Sequence, residues 1–374
     1  MEPPMKYFLI LFLIVGCASG KKADLESDIG FEGKPKPNTV VLDPVADWKL
    51  MFTPSPDRAS QAKIKTKLDK WPKVSSPEEA IKKARLESAV GSYNLAENTL
   101  KSAVRTFPKS LDVKLELTLV YSRKGSSDAA LALLTEIRVL LDEVTYPDKA
   151  FLFKYRYCLG LAYLDKKDVA KGQEIMSQLV GIDSTFAPAY VALALSYLST
   201  GKVSTADFVA KRGLERSGEN LALLNLIGTI ARTSGKLDEA LEWYGKAIHI
   251  NSKFVPALVN RAAIGLQKGD MESSAKDIAL SLQIDPEHVD ALNLQGVLLI
   301  QQKSYSAAKQ VLNRVIEIDQ NNVDARFNLA LILESSSGES TELKRLYQEI
   351  LQLAQPSSSV YGKADQRLSE MRSF

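Results

Sequence analysis

The chain has 374 residues, 45% of them apolar and 25% charged, with a formal net charge of +3. That composition excludes a disordered chain and a multispanning membrane protein. A charge this small, with no basic stripe interleaved with aromatics, gives no footprint for a nucleic-acid partner. The two cysteines, Cys17 and Cys158, build no disulfide framework, and the two histidines, His249 and His288, share no metal-ligand spacing with them or with each other.

Residues 1–16 open with a short polar stretch carrying Lys6, run apolar from Tyr7 to Val15 and close on Gly16. Nine apolar residues are too few to cross a bilayer and match the apolar core of a signal peptide, which residues 1–16 are expected to be. The segment Ile14-Val15-Gly16-Cys17 resembles a bacterial lipobox. The resemblance implies cleavage before Cys17, a diacylglyceryl group on its sulfur and, often, acylation of the new amino group. A thiolate is the nucleophile such chemistry needs, and two or three acyl chains anchor stably where one does not. The alternative is an ordinary signal peptide with a chance cysteine. Ala18-Ser19-Gly20 follow, with no Asp at the second mature position. By similarity to lipoprotein sorting in double-membrane bacteria, this implies a lipid-anchored protein on the periplasmic face of the outer membrane.

Residues 17–76 carry Gly20, Gly30, Gly33, Pro35, Pro37, Pro44, Pro54, Pro56 and Pro72, a density that breaks long helices and predicts an extended, lipidated tether. Trp48, Met51, Phe52 and Trp71 punctuate it and are expected to be buried, against this chain or against a partner. Arg58, Lys63, Lys65, Lys67, Lys70 and Lys73 read as a solvated, partly helical face, with a seat near anionic headgroups as the alternative.

From Pro77 a pattern recurs with a 34-residue period, seen whole in Leu221–Phe254 as two apolar stripes around the turn Ser234-Gly235-Lys236. Starts at 77, 111, 153, 187, 221, 255, 289 and 323 place Ala84, Thr118, Gly160, Ala194, Gly228, Ala262, Gly296 and Ala330 at position 8. Position 20 then holds Ala96, Ala130, Gly172, Ala206, Ala240, Ser274 and Ala308, with Leu343 in the last repeat, where one extra residue near Ser335-Ser336-Ser337-Gly338 shifts the frame. Small side chains at these two positions predict the close crossing of two helices. Glycine recurs in the turn at Gly91, Gly125, Gly201, Gly235 and Gly269. These residues resemble the tetratricopeptide repeat (TPR). The resemblance implies an all-α chain: a right-handed superhelix of eight helix pairs over 77–356, closed by a capping helix in 357–374 with Val360, Ala364, Leu368 and Met371 on one face. The register breaks at Thr145–Leu152, where a longer second helix and a wider turn are expected.

Phosphate loops, nucleophile elbows, zinc-protease and CxxC motifs are absent from the sequence. Cys158, between Tyr157 and Leu159, reads as a core residue. No enzyme, cofactor, metal or small-molecule substrate is therefore expected. The resemblance implies that positions 2, 5, 9, 12 and 13 of each first helix line an inner wall. In the third and fourth repeats these include Tyr157, Leu161, Leu164, Val191, Leu195 and Leu198. The fifth and sixth add Asn225, Thr229, Arg232, Val259 and Leu266, and the last two Asn293, Val297, Ile300, Phe327 and Leu331. Such a wall suits an amphipathic helix or an extended apolar peptide. The expected role is a scaffold for protein partners in the cell envelope, anchored through its acyl chains, in a machine of the gliding-motility, pilus or secretion type. An activator of a periplasmic cell-wall synthesis enzyme and an outer-membrane barrel assembly factor are the alternatives.

Overall fold

The computed structural model describes residues 58–142, 148–337, 341–356 and 358–371, which hold eighteen helices and no strand. Cys17, Trp48, Met51 and Phe52 lie outside the described residues. The helices are α1 (Arg58–Asp69), α2 (Pro77–Ala89), α3 (Tyr93–Thr106), α4 (Leu111–Arg123), α5 (Ser127–Asp142) and α6 (Lys149–Asp165). Next come α7 (Val169–Ile182), α8 (Ala187–Ser199), α9 (Val203–Ser217), α10 (Leu221–Thr233), α11 (Leu237–Ile250) and α12 (Val255–Lys268). The chain closes with α13 (Met271–Ile284), α14 (Val289–Gln301), α15 (Tyr305–Ile318), α16 (Val323–Ser337), α17 (Thr341–Leu353) and α18 (Ser359–Glu370). They fall into two compact units that divide between Ser234 and Gly235, inside the fifth repeat.

Local chemistry sets the boundaries. Ser76 caps α2 by accepting the Glu79 N–H at 3.3 Å, Pro77 takes the first helical position, and the Glu79 carboxylate accepts the Ser75 N–H at 2.8 Å. Asn220 caps α10 and Asp270 caps α13 in the same way, each at 3.1 Å. All five turn glycines have positive φ, between 68° and 83°, where a side chain would strain the backbone. Lys167 and Lys303 occupy the same turn in the third and seventh repeats, at φ 67° and 60°.

The residues at positions 8 and 20 are buried in all eight repeats, including Thr118 and Leu343. Two of the larger ones show how the crossing tolerates them. The Thr118 hydroxyl donates to its own helix at Lys114 O, 3.0 Å away. The Ser274 hydroxyl reaches across the crossing to Ala262 O, at 3.1 Å. A Cβ added at Gly160 would sit 2.8 Å from Met176 Cε, and one at Gly296 only 2.6 Å from Leu312 Cδ2. Absence of a side chain is what lets these helices meet.

Within the stretch expected as a tether, the basic segment expected to be partly helical holds helix α1, and after it Trp71 is half-buried, its backbone N–H donating to Leu68 O at 3.0 Å. The third repeat begins at Lys149 rather than Phe153, because Asp148 caps α6 by accepting the Phe151 N–H at 3.1 Å. The inserted residues thus also lengthen a first helix, not only the second helix before them. The capping helix spans Ser359–Glu370, with Ala364, Leu368 and Met371 buried in the last core cluster and Val360 packed against it.

Candidate functional site

Within each unit, first helices touch their counterparts in the next repeat: α4 meets α6, α6 meets α8 and α8 meets α10, while in the other unit α12 meets α14 and α14 meets α16. A row of first helices therefore forms one face of each unit, and the expected wall lies along it. Its residues split into two groups. Tyr157, Leu198, Val259, Leu266, Asn293 and Val297 are buried and belong to the core. Tyr157 and Phe186 make a T-shaped contact with ring centroids 5.3 Å apart. The rest reach the surface. Leu161, Leu164 and Val191 are half-buried, and Leu195 on α8 is 48% exposed. Asn225, Thr229 and Arg232 continue the row on α10 as half-buried polar residues. In the C-terminal unit Ile300, Phe327 and Leu331 are half-buried.

The N-terminal unit thus presents an apolar band on α6 and α8, bordered by a polar stretch on α10. The band places three aliphatic side chains, Leu161, Val191 and Leu195, where a partner's apolar face could cover them, each for up to about 1.5–3 kcal/mol, while the Leu164 side chain packs over Gly172 in the α6–α7 crossing.

Reading by position missed the acidic residues of the same row. Asp290 and Asp324 occupy position 2 of the seventh and eighth repeats, and the negative charge of the first acts on the second. Burial, and then the charge of Asp290, push the Asp324 carboxyl up to about 6. A carboxyl raised from 3.8 favours the folded state when protonated, so that contribution is present below about 3.8 and is lost as pH rises through about 6. Asp324→Asn should therefore stabilise the C-terminal unit at pH 7.5 by about 1–2 kcal/mol, after discounting for its partial exposure. Urea titrations at pH 7.5 and pH 4 check this: the gain should shrink toward zero at the lower pH, and an equal gain at both would assign it to something other than the charge.

Elsewhere, Cys158 is fully buried and its thiol is pushed well above the ordinary range by that burial, so it offers no thiolate near neutral pH. His288 is a helix cap, its Nδ1 accepting the Ala291 N–H at 3.4 Å, and His249 lies exposed in the last turn of α11. Among the described residues, no three of His, Cys, Asp and Glu gather as metal ligands, and no helix is long and apolar enough to cross a membrane.

The tetratricopeptide-repeat family model matches residues 221–254 and 289–322, the bounds expected for the fifth and seventh repeats. The chain is 31% identical over 107 residues to the human protein O-mannosyl-transferase TMTC3, covering 28% of this chain and 12% of that one. It is 25% identical over 229 residues to a TPR repeat-containing protein of Methanocaldococcus jannaschii, covering 56% and 38%. It spans well under two thirds of either relative. Among solved structures, the APC/C hetero-tetramer Cut9-Hcn1 superposes with a TM-score of 0.56 at 15% identity, over 80% of this chain and 61% of that one. That likeness is of fold alone. With the 34-residue register, the buried crossing positions and the matched family model together, the chain carries tetratricopeptide repeats, and its helix pairs are the fold such repeats build.

Proposed function

We propose that this protein is a non-enzymatic interaction scaffold, lipid-anchored through Cys17 to the periplasmic face of the outer membrane, that helps assemble an envelope-spanning machine of the gliding-motility, pilus or secretion type. The observation that carries the scaffold reading is the band of Leu161, Val191 and Leu195, whose side chains remain open to a partner, with Leu195 48% exposed. An amphipathic helix or an extended apolar peptide suits it. The anchoring rests on the lipobox-like Ile14–Cys17 and on the absence of Asp after the cysteine.

Two experiments test the two halves separately. Crosslinking mass spectrometry in intact cells should capture envelope proteins on the α6–α8 face, and Leu195→Asp should reduce that capture about tenfold or more while leaving the melting temperature unchanged, because half of the side chain is already in water. Unaltered crosslinks in that variant would remove the band as the docking site. Cys17→Ser should abolish acylation and release the protein from the outer-membrane fraction. A variant that is still acylated and still sediments there would refute the anchor.

A further inference from the structure

A second surface, away from the wall of first helices, has its own chemistry. Between α5, α6 and the start of α7, inside the N-terminal unit, lies an open cleft of about 730 Å³. Leu134 of α5 and Tyr155, Leu159 and Tyr163 of α6 give it an apolar and aromatic lining. Arg138, Lys166, Lys167 and Lys171 also line it, and Asp168 is the one carboxylate among the lining residues. Two further carboxylates flank these cations, Asp128 paired with Lys166 and Asp165 beside Lys167, so the local surplus is one positive charge, and Arg138 carries it.

These cations are available. Arg138 is exposed and makes no ion pair with the described residues. Lys166 pairs with Asp128 at 2.8 Å, but both side chains are more than half exposed, and such a pair is weak enough to exchange for another carboxylate. Lys171 pairs with Asp168 at 3.2 Å and lies 5.2 Å from the Tyr163 ring, so it is held at the cleft by a carboxylate and an aromatic face. Lys167 holds a left-handed conformation at the turn where five other repeats use glycine. Lysine there costs backbone energy that glycine would not, and it sets a fourth cation on the cleft.

The lining decides between kinds of anion. The first turn of α7 is already capped by the Asp168 carboxylate, which accepts the Lys171 N–H at 3.4 Å, so the helix end is not open to a phosphate. A small inorganic ion would leave Leu134, Leu159 and Tyr155 uncovered. A chain with carboxylates spaced around an apolar side chain would satisfy both kinds of surface. We infer that this cleft is a docking site for an acidic peptide segment of a protein partner, its carboxylates on Arg138, Lys166 and Lys167 and an apolar side chain against Leu134, Tyr155 and Leu159. It is separate from the apolar band on α6 and α8 and would let the protein hold two partner segments at once.

The test uses the full chain and a fluorescein-labelled peptide in which aspartate and glutamate alternate with leucine and phenylalanine, read by anisotropy. Binding should weaken by about tenfold on replacing its acids with lysine, and steeply with added salt. Arg138→Glu should weaken it by a similar factor. Lys167→Gly should weaken it while leaving the protein at least as heat-stable, since glycine suits the turn. Lys303→Gly, the same turn change in the seventh repeat, and Leu195→Ala, on the apolar band, should both leave it unchanged. Equal binding of the lysine peptide, or wild-type affinity in Arg138→Glu and Lys167→Gly, would overturn the inference. So would vesicles of phosphatidylcholine and phosphatidylglycerol binding in an Arg138-dependent way while the peptide does not bind, because the ligand would then be a membrane surface.

Discussion

Replacing Gly172 by leucine is expected to unfold the third repeat. A Cβ at this position would lie 2.5 Å from both Leu164 Cγ and Cδ2 and 3.1 Å from the Leu164 backbone nitrogen. The leucine side chain can swing aside, but the backbone nitrogen belongs to α6 and cannot yield without separating the two helices. Overpacking in a core costs about 1–3 kcal/mol for modest additions, and a whole leucine against backbone belongs at or above the top of that range. Each repeat touches only its neighbours, so the loss should begin in α6 and α7 and spread to α5 and α8 before α2 and α3 open. Amide exchange by mass spectrometry would show this order. Gly245→Ala is the matching control, because a Cβ there meets nothing within 4 Å, and alanine should stabilise α11 by about 0.5–1 kcal/mol. A Gly172→Leu protein with a wild-type melting curve would mean that the helices do not cross at this point.

The second large effect is expected at Arg326, 8% exposed on α16. Its guanidinium donates to Glu349 of α17 at 2.9 Å, to Asn322 O at 3.0 Å and to Gln320 O at 2.7 Å. One side chain thus satisfies two carbonyls just before α16 and ties that helix to the next. Arg326→Ala would leave those two carbonyls without their donor, at a cost of about 1–3 kcal/mol, while Glu349, about a third exposed, keeps Arg345 at 3.8 Å. Lysine would restore the charge but not the fork, so Arg326→Lys should recover only part of the loss. The measurement is the urea midpoint followed by Trp243 fluorescence, since Trp243 lies in α11 of the same unit. If alanine and lysine variants unfold with the wild type, the guanidinium contributes nothing net.

Much of the architecture is legible in the sequence because the repeat is a local code. Seven of the eight expected starts coincide with the first residue of a first helix, from Pro77 to Val323. Small residues at positions 8 and 20 announce helix crossings without knowledge of the neighbours, since any large side chain there would hold two backbones apart. The exception is the third repeat, where Asp148 offers an earlier cap than the period anticipates.

Position in the repeat says where along a first helix a residue lies, but how far it reaches solvent depends on what the adjacent repeat places against it. Val191 and Val259 hold the same position in the fourth and sixth repeats, yet the first is half-buried and the second only 3% exposed. The carboxyl of Asp324 is raised by burial and then by the charge of Asp290, a full repeat away. Lys167 stands out in the sequence only as a missing turn glycine, and the cleft around it exists because α5 and α6 bring Arg138 and Tyr155 beside it. Sequence by itself determined the helix pairs, their register and the residues at their crossings, for those follow from spacing within one chain segment. Only the tertiary structure decided which side chains stay open to a partner and which charges gather, because burial and field are sums over neighbours that no single repeat contains.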